Sequence, residues 1–309
     1  MQSVTGLLNL GSREIFGRMQ QAVRIVSRSR DAQGPVPPSL VDPLRFPYGP
    51  FKCKIENPDQ VPYTLFASSD LSNWDIIDQF QSRLKDEQEY VDSAAPNFSH
   101  RFYRVVADGL PASNVVGYCA MTLAPGFTLI TNPFKGGNCR ISEAFRGWPD
   151  GTTVNKFEVA RMRLNENILK QGKWENPTQQ LAPGEGAIFF NPTDDYKRHS
   201  FAGEVVPGRC TMPIPSGFSL RSSMIPKKGK LEEDLQFPIS NGDVVHLFDS
   251  DQQKYAIYPF EDGKWTSGQP TLSMGEAFWV AKAEPGNWEN DLVVEFYTIG
   301  DCWPVLSPC

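Results

Sequence analysis

The chain has 309 residues, 40% of them apolar and 21% charged, with a formal net charge of −6. This is the balance of a folded chain with room for more than one domain, neither disordered nor collagen-like. The acidic charge argues against nucleic acid as a partner, because phosphate contacts need a basic face, and no run of about 18 apolar residues offers a transmembrane helix. The abundance of Gly, Pro and Phe points to a turn-rich β protein.

In chain order, residues 1–30 read as an amphipathic helix in which Leu8, Ile15, Phe16, Met19 and Val23 recur near helical spacing. Arg13, Arg18, Arg24, Arg28 and Arg30 outweigh Glu14 and Asp31, which makes this arm basic within an acidic chain. Arginines spread through the segment interrupt the apolar core that a conventional signal peptide needs. From Gln33 to Pro50, six prolines favour an extended strap. Residues 1–50 are therefore expected to form an arm that docks on a neighbouring subunit. A membrane-surface helix and a helix packed on its own domain are the alternatives.

Residues 51–115 read as a small β domain. Lys52–Glu56 and Tyr63–Ala67 alternate as strands do, Ser68–Trp74 is a turn with an aromatic anchor, and His100–Val106 is a strand with Phe102 and Tyr103 on opposite faces.

An internal repeat follows, over 116–208 and 209–300, with a tail at 301–309. In one ungapped register, a shift of 91 residues carries Gly126-Phe127 onto Gly217-Phe218. The same shift carries Gly151 onto Gly242, Gly172-Lys173-Trp174 onto Gly263-Lys264-Trp265, and Gly184-Glu185 onto Gly275-Glu276. Matches at turn glycines and core aromatics are what a diverged duplication retains. Each copy is expected to hold about five strands, and two such copies make tandem antiparallel β-sandwich or barrel modules. The fold class is thus mainly β, with the small β domain and the helical arm preceding the tandem modules.

No nucleophile elbow, phosphate loop or metal-binding histidine pattern occurs, so no enzymatic activity and no cofactor are expected. His100, His199 and His246 are far apart in sequence. Glu185 and Glu276 are candidates for a hydrolase carboxylate pair, but duplication preserves a structural Glu in both copies more readily than two active sites. Trp174 and Trp265 are candidates for stacking on a glycan, against the plainer reading of a core edge. Asp194-Asp195 and Asp249-Ser250-Asp251 read as solvated turns in preference to Ca²⁺ sites. Cys302 and Cys309 flank a short segment and are a candidate disulfide; the six cysteines show no zinc spacing.

Pro-Gly-Phe-Thr-Leu-Ile-Thr-Asn-Pro at 125–133 and Leu-Ala-Pro-Gly-Glu-Gly at 181–186 resemble repeated β modules of large extracellular bacterial proteins, common in planctomycete and verrucomicrobial genomes. Ser-Asp-Leu-Ser-Asn-Trp at 69–74 looks like a small β module recurring in such proteins. The resemblance covers about residues 51–300. It implies accessory or adhesive architecture and brings no catalytic residues with it. Together these readings lead to the expectation of a non-catalytic, self-assembling structural protein, extracellular, at the cell surface or in a virion-like assembly. It would form a homo-oligomer or filament through its arm and its β edges. A carbohydrate-binding or adhesive module is the alternative, and a hydrolase the more distant one.

Overall fold

The structure, a computed structural model, describes residues 37–56, 62–81, 88–107, 110, 113–136 and 139–294. The arm residues Leu8, Ile15, Phe16, Met19 and Val23, and the pair Cys302 and Cys309, lie outside the described residues. The described chain is mainly β, built from antiparallel sheets as its sequence pattern predicts. No helix among the described residues is long and apolar enough to cross a membrane.

Six strands come first: β1 (Ser39–Arg45), β2 (Phe51–Glu56), β3 (Pro62–Ser68), β4 (Asp75–Gln81), β5 (Gln88–Asp92) and β6 (His100–Ala107). The first repeat supplies β7 (Val115–Leu123), β8 (Gly126–Ile130), the one-turn helix α1 (Ile141–Ala144), β9 (Thr153–Glu158), β10 (Arg163–Lys170), β11 (Lys173–Trp174), β12 (Ala187–Asn191) and β13 (Lys197–Val205). The second supplies β14 (Gly208–Ile214), β15 (Gly217–Ser222), β16 (Gly229–Lys230), β17 (Val244–Asp249), β18 (Lys254–Glu261), β19 (Lys264–Trp265), β20 (Thr271–Leu272), β21 (Ala277–Lys282) and β22 (Gly286–Leu292).

The duplication is written into the backbone. One five-stranded sheet runs β11-β10-β9-β12-β8 and the other β19-β18-β17-β21-β15, and the shift that sets Gly126 on Gly217 carries β9, β10 and β11 end to end onto β17, β18 and β19. Left-handed residues coincide as well: Gly184 and Gly275 both have φ of 87°, and Met162 and Gln253 have φ of 50° and 52°. A glycine is needed at the first pair because side chains rarely adopt that backbone region. Asp150 accepts hydrogen bonds from the backbone N–H of Gln171 and Gly172, and Asn241 accepts one from Gly263, so the Asp-to-Asn change at this turn keeps an acceptor in place.

The outer strands of the two repeats are used differently. β7 and β13 extend the small domain's sheet, whose order is β13-β7-β6-β3-β4, whereas β14 and β22 pair only with each other. β6 is consequently buried on both faces. Tyr103 packs under the sheet β1-β2-β5, stacked on Phe51 at 4.3 Å, while Phe102 faces a second core with Phe134, Phe145, Phe189 and Phe201. Each such ring contributes roughly 1.5–3 kcal/mol by leaving water. The second repeat closes its own core around Leu231, Leu235, Phe237, Phe278 and Trp288.

Candidate functional site

Most of the side chains singled out by the sequence are engaged in holding turns or filling cores. Glu185 Oε2 accepts from the Ala182 N–H at 3.0 Å and from Lys156 Nζ at 2.7 Å, and Glu276 Oε2 accepts from the Ser273 N–H at 2.8 Å. Each carboxylate thus closes the turn before its own buried strand, and burial raises the Glu276 pKa above the usual carboxylate value. Trp174 is only 7% exposed and packs on Phe145 at 6.1 Å, as a core-edge residue does, at the wall of a cavity that Trp148 and Lys173 also line. Trp265 is half-buried, lies edge-on to Phe260 and donates its Nε1–H to Glu232 at 2.8 Å. Asp249 Oδ1 accepts from the N–H groups of Asp251 and Gln252, as in a tight hairpin. Among the described residues no group of three or more His, Cys, Asp or Glu side chains is placed to hold a metal ion. Cys53, Cys119, Cys139 and Cys210 are free thiols.

His199 is fully buried, face to face with Phe145 at 4.5 Å, and desolvation lowers its pKa to about 3. His100 is held at Ser69 O, 3.0 Å from its Nε2. The His100 Nδ1 lies 3.0 Å from Ser99 Oγ, so both of its ring nitrogens are engaged in local bonds, whereas the buried His199 Nε2 has no partner.

The two repeats meet about a pseudo-twofold axis. Thr131 N–H donates to Gly275 O at 2.8 Å, and the equivalent Ser222 N–H donates to Gly184 O at 3.1 Å. Ser222 Oγ donates to Thr131 Oγ1 at 2.8 Å, so two residues related by the duplication bond each other, as at the axis of an isologous dimer. Leu129, Leu220 and Ala277 form a small apolar cluster there, with Phe157, Phe248, Ile188 and Trp279 packed against it.

Beside this cluster lies an open groove of about 480 Å³. Phe157, Met162 and Ile188 of the first repeat face Phe218, Tyr255 and Trp279 of the second across it. The strands β10 and β18 bring their exposed residues to the groove: Leu164 is 48% and Tyr255 46% exposed, and Met162, at the tip of the β9–β10 turn, 59%. His246 and Tyr255 are its titratable members. Burial lowers the first pKa and raises the second, so both are neutral at pH 7. The lining of the groove is therefore uncharged and aromatic-rich, with two polar tips. The sequence comparison of the repeats pairs Met162 with Gln253 and Leu164 with Tyr255, but a scatter of apolar residues on two strands reads as ordinary surface until the axis brings them together.

No protein-family model matches the chain, and no curated protein matches it. Among solved structures the chain is weakly similar to the chicken CNTN1 FN1-FN3 domains, at 9% identity over 83% of this chain and 98% of that one, with a TM-score of 0.17. Two chains at that score need share no fold.

Proposed function

We propose that the chain is a non-catalytic structural protein that binds further protein chains, its own copies first, in a bacterial surface, filament or virion-like assembly. The groove between the repeats carries this reading. It gathers exposed Met162, Leu164, Phe218 and Tyr255 in one place, and covering such side chains is favourable by about 25 cal/mol per Å². Open strand edges support it too: β4 and the Phe218 end of β15 each lie at the edge of a sheet, and Ile76 on β4 stands exposed. The basic arm with Leu8, Ile15, Phe16, Met19 and Val23 would add interface area on an acidic neighbour. An extracellular or cell-surface location belongs to the same proposal.

Light scattering tests it on the full chain, on residues 35–309 and on Leu164→Glu. A particle far above 34.6 kDa that shrinks in both variants is the expected result. A monomer in all three would remove self-assembly from the proposal.

A further inference from the structure

The groove has a pseudo-twofold twin, and the twin is filled. At the equivalent place beside Phe127, the side chain of Gln253 reaches across from the second repeat. Its Oε1 accepts from the Phe127 N–H at 2.9 Å and its Nε2 donates to the Phe127 C=O at 2.8 Å. Phe127 lies on β8, the last strand of its sheet, so this carboxamide satisfies an outward-facing donor and acceptor on a free strand edge. Both bonds are made by one primary carboxamide, whose oxygen and syn N–H face the same way and so stand in for the C=O and N–H that one residue of an added strand would present from its two peptide groups.

The shift between repeats carries Phe127 onto Phe218 and Gln253 onto Met162. Phe218 stands on β15, also the last strand of its sheet, and pairs with Ala281 just as Phe127 pairs with the equivalent Phe190. The same register turns the Phe218 N–H and C=O to the outer edge. Met162 has the backbone conformation of Gln253, φ 50° against 52°, but a thioether can neither donate to the Phe218 C=O nor accept well from its N–H. Met162 leaves an apolar wall where Gln253 supplies an amide, and the groove at this end stays open.

We infer that the groove takes an extended peptide segment of a partner protein. The segment adds to the β15 edge through one residue, whose C=O and N–H bond the Phe218 N–H and C=O, and seats a large apolar side chain between Phe157, Tyr255 and Trp279. This rests on the reading of the groove as a contact surface, and not on assembly of the chain with itself. The chemistry follows from the twin: there an amide is the ligand, and here the same edge is offered with an apolar lining in place of the internal amide.

The probe is a blocked hexapeptide alternating Thr and Phe, titrated calorimetrically into the full chain, with hydrogen exchange followed at the Phe218 amide. One peptide per chain and slowed exchange at Phe218 are expected. Met162→Gln, an exposed substitution with the backbone already suited to it, should rebuild the internal amide clasp and weaken binding by at least about tenfold. Gln253→Met should open the twin at Phe127 and raise the stoichiometry to two. A peptide with Pro at the pairing residue, which lacks the N–H, should bind about tenfold more weakly. No binding to the full chain would overturn the inference, and so would binding that ignores Met162→Gln or the Pro substitution. Self-association abolished by Met162→Gln, without peptide binding, would assign the groove to a second molecule of this chain and also overturn it. A chain that stays monomeric yet binds the peptide with the expected pattern would keep this inference and sink only the self-assembly proposal.

Discussion

In the second repeat Asp243 and Lys282 form an ion pair wholly out of solvent; at the equivalent places in the first repeat stand Thr152 and Asn191, equally buried and uncharged. The bonding is complete in both. Asp243 also accepts from the Ser240 and Ala283 N–H groups, at 2.7 and 2.8 Å, and Lys282 Nζ donates to Pro238 O at 2.6 Å. Thr152 donates to Pro149 O, while Asn191 donates to the carbonyls of Ala124 and Asp195. The duplicated backbone leaves polar groups in the same turns, and these must be bonded; whether charge does it is secondary.

The sharpest way to break that equivalence is to remove one charge. Lys282→Met leaves the Asp243 carboxylate buried without its cation and should cost about 3–5 kcal/mol in urea unfolding. The double change Asp243→Thr with Lys282→Asn transplants the first repeat's solution and should recover most of the loss. If the double variant is as unstable as the single, the two repeats do not share one polar design.

A second difference is set inside the cores. His199 of the first repeat lies among Phe145, Trp148 and Phe201, with Nε2 buried and unbonded, and Lys197 Nζ sits 5.6 Å from the Trp148 ring. The equivalent Asn290 is neutral at all pH and donates to Leu235 O at 2.8 Å. A histidine whose pKa falls from 6.5 to about 3 on folding binds its proton more readily when unfolded. Its contribution is therefore full above pH 6.5 and is lost as the pH drops, by about 1.4 kcal/mol per unit down to pH 3. His199→Phe keeps the stacking and removes the proton site. Relative to the native chain, it should gain stability steadily from pH 6.5 to pH 4 in urea titrations. Parallel stability curves for the two proteins would refute the assignment.

The repeat was legible from sequence because turns that need a left-handed residue, such as Gly184 and Gly275, resist substitution while the strands between them drift. Phe102 and Tyr103 on opposite faces could be read from alternation alone, and both faces are indeed covered. What could not be read is partner choice. Nothing local in β7 or β13 says that they join β6 while β14 and β22 stay with each other, because strand pairing is decided by surfaces far apart in the chain. The groove escaped for the same reason: Met162, Leu164 and Tyr255 acquire meaning only once the axis sets the two repeats side by side. Trp174 divides the same way between what is local and what is not. A tryptophan after a Gly-Lys turn reads as a core-edge residue, and Trp174 is buried as such a residue is, but the turn does not show that its partner is Phe145, just after α1.

The smallest expected effect lies on the axis itself, where perfect symmetry is sterically impossible. Gly186 and Ala277 are equivalent positions facing each other: a Cβ added to Gly186 would stand 3.0 Å from Ala277 Cβ and 2.7 Å from Leu220 Cγ. Only one of the pair can carry a methyl. Gly186→Ala should cost about 1–3 kcal/mol by overpacking, and Ala277→Gly about 1 kcal/mol through a lost methyl and a freer unfolded chain. The double variant exchanges the two residues and removes one of the two close contacts, leaving only Leu220 to yield. Its cost should fall below the sum of the singles in thermal or urea unfolding, a coupling expected of residues in direct contact. Strict additivity would mean that the two methyl positions do not compete for one space, and the axis would have to lie elsewhere.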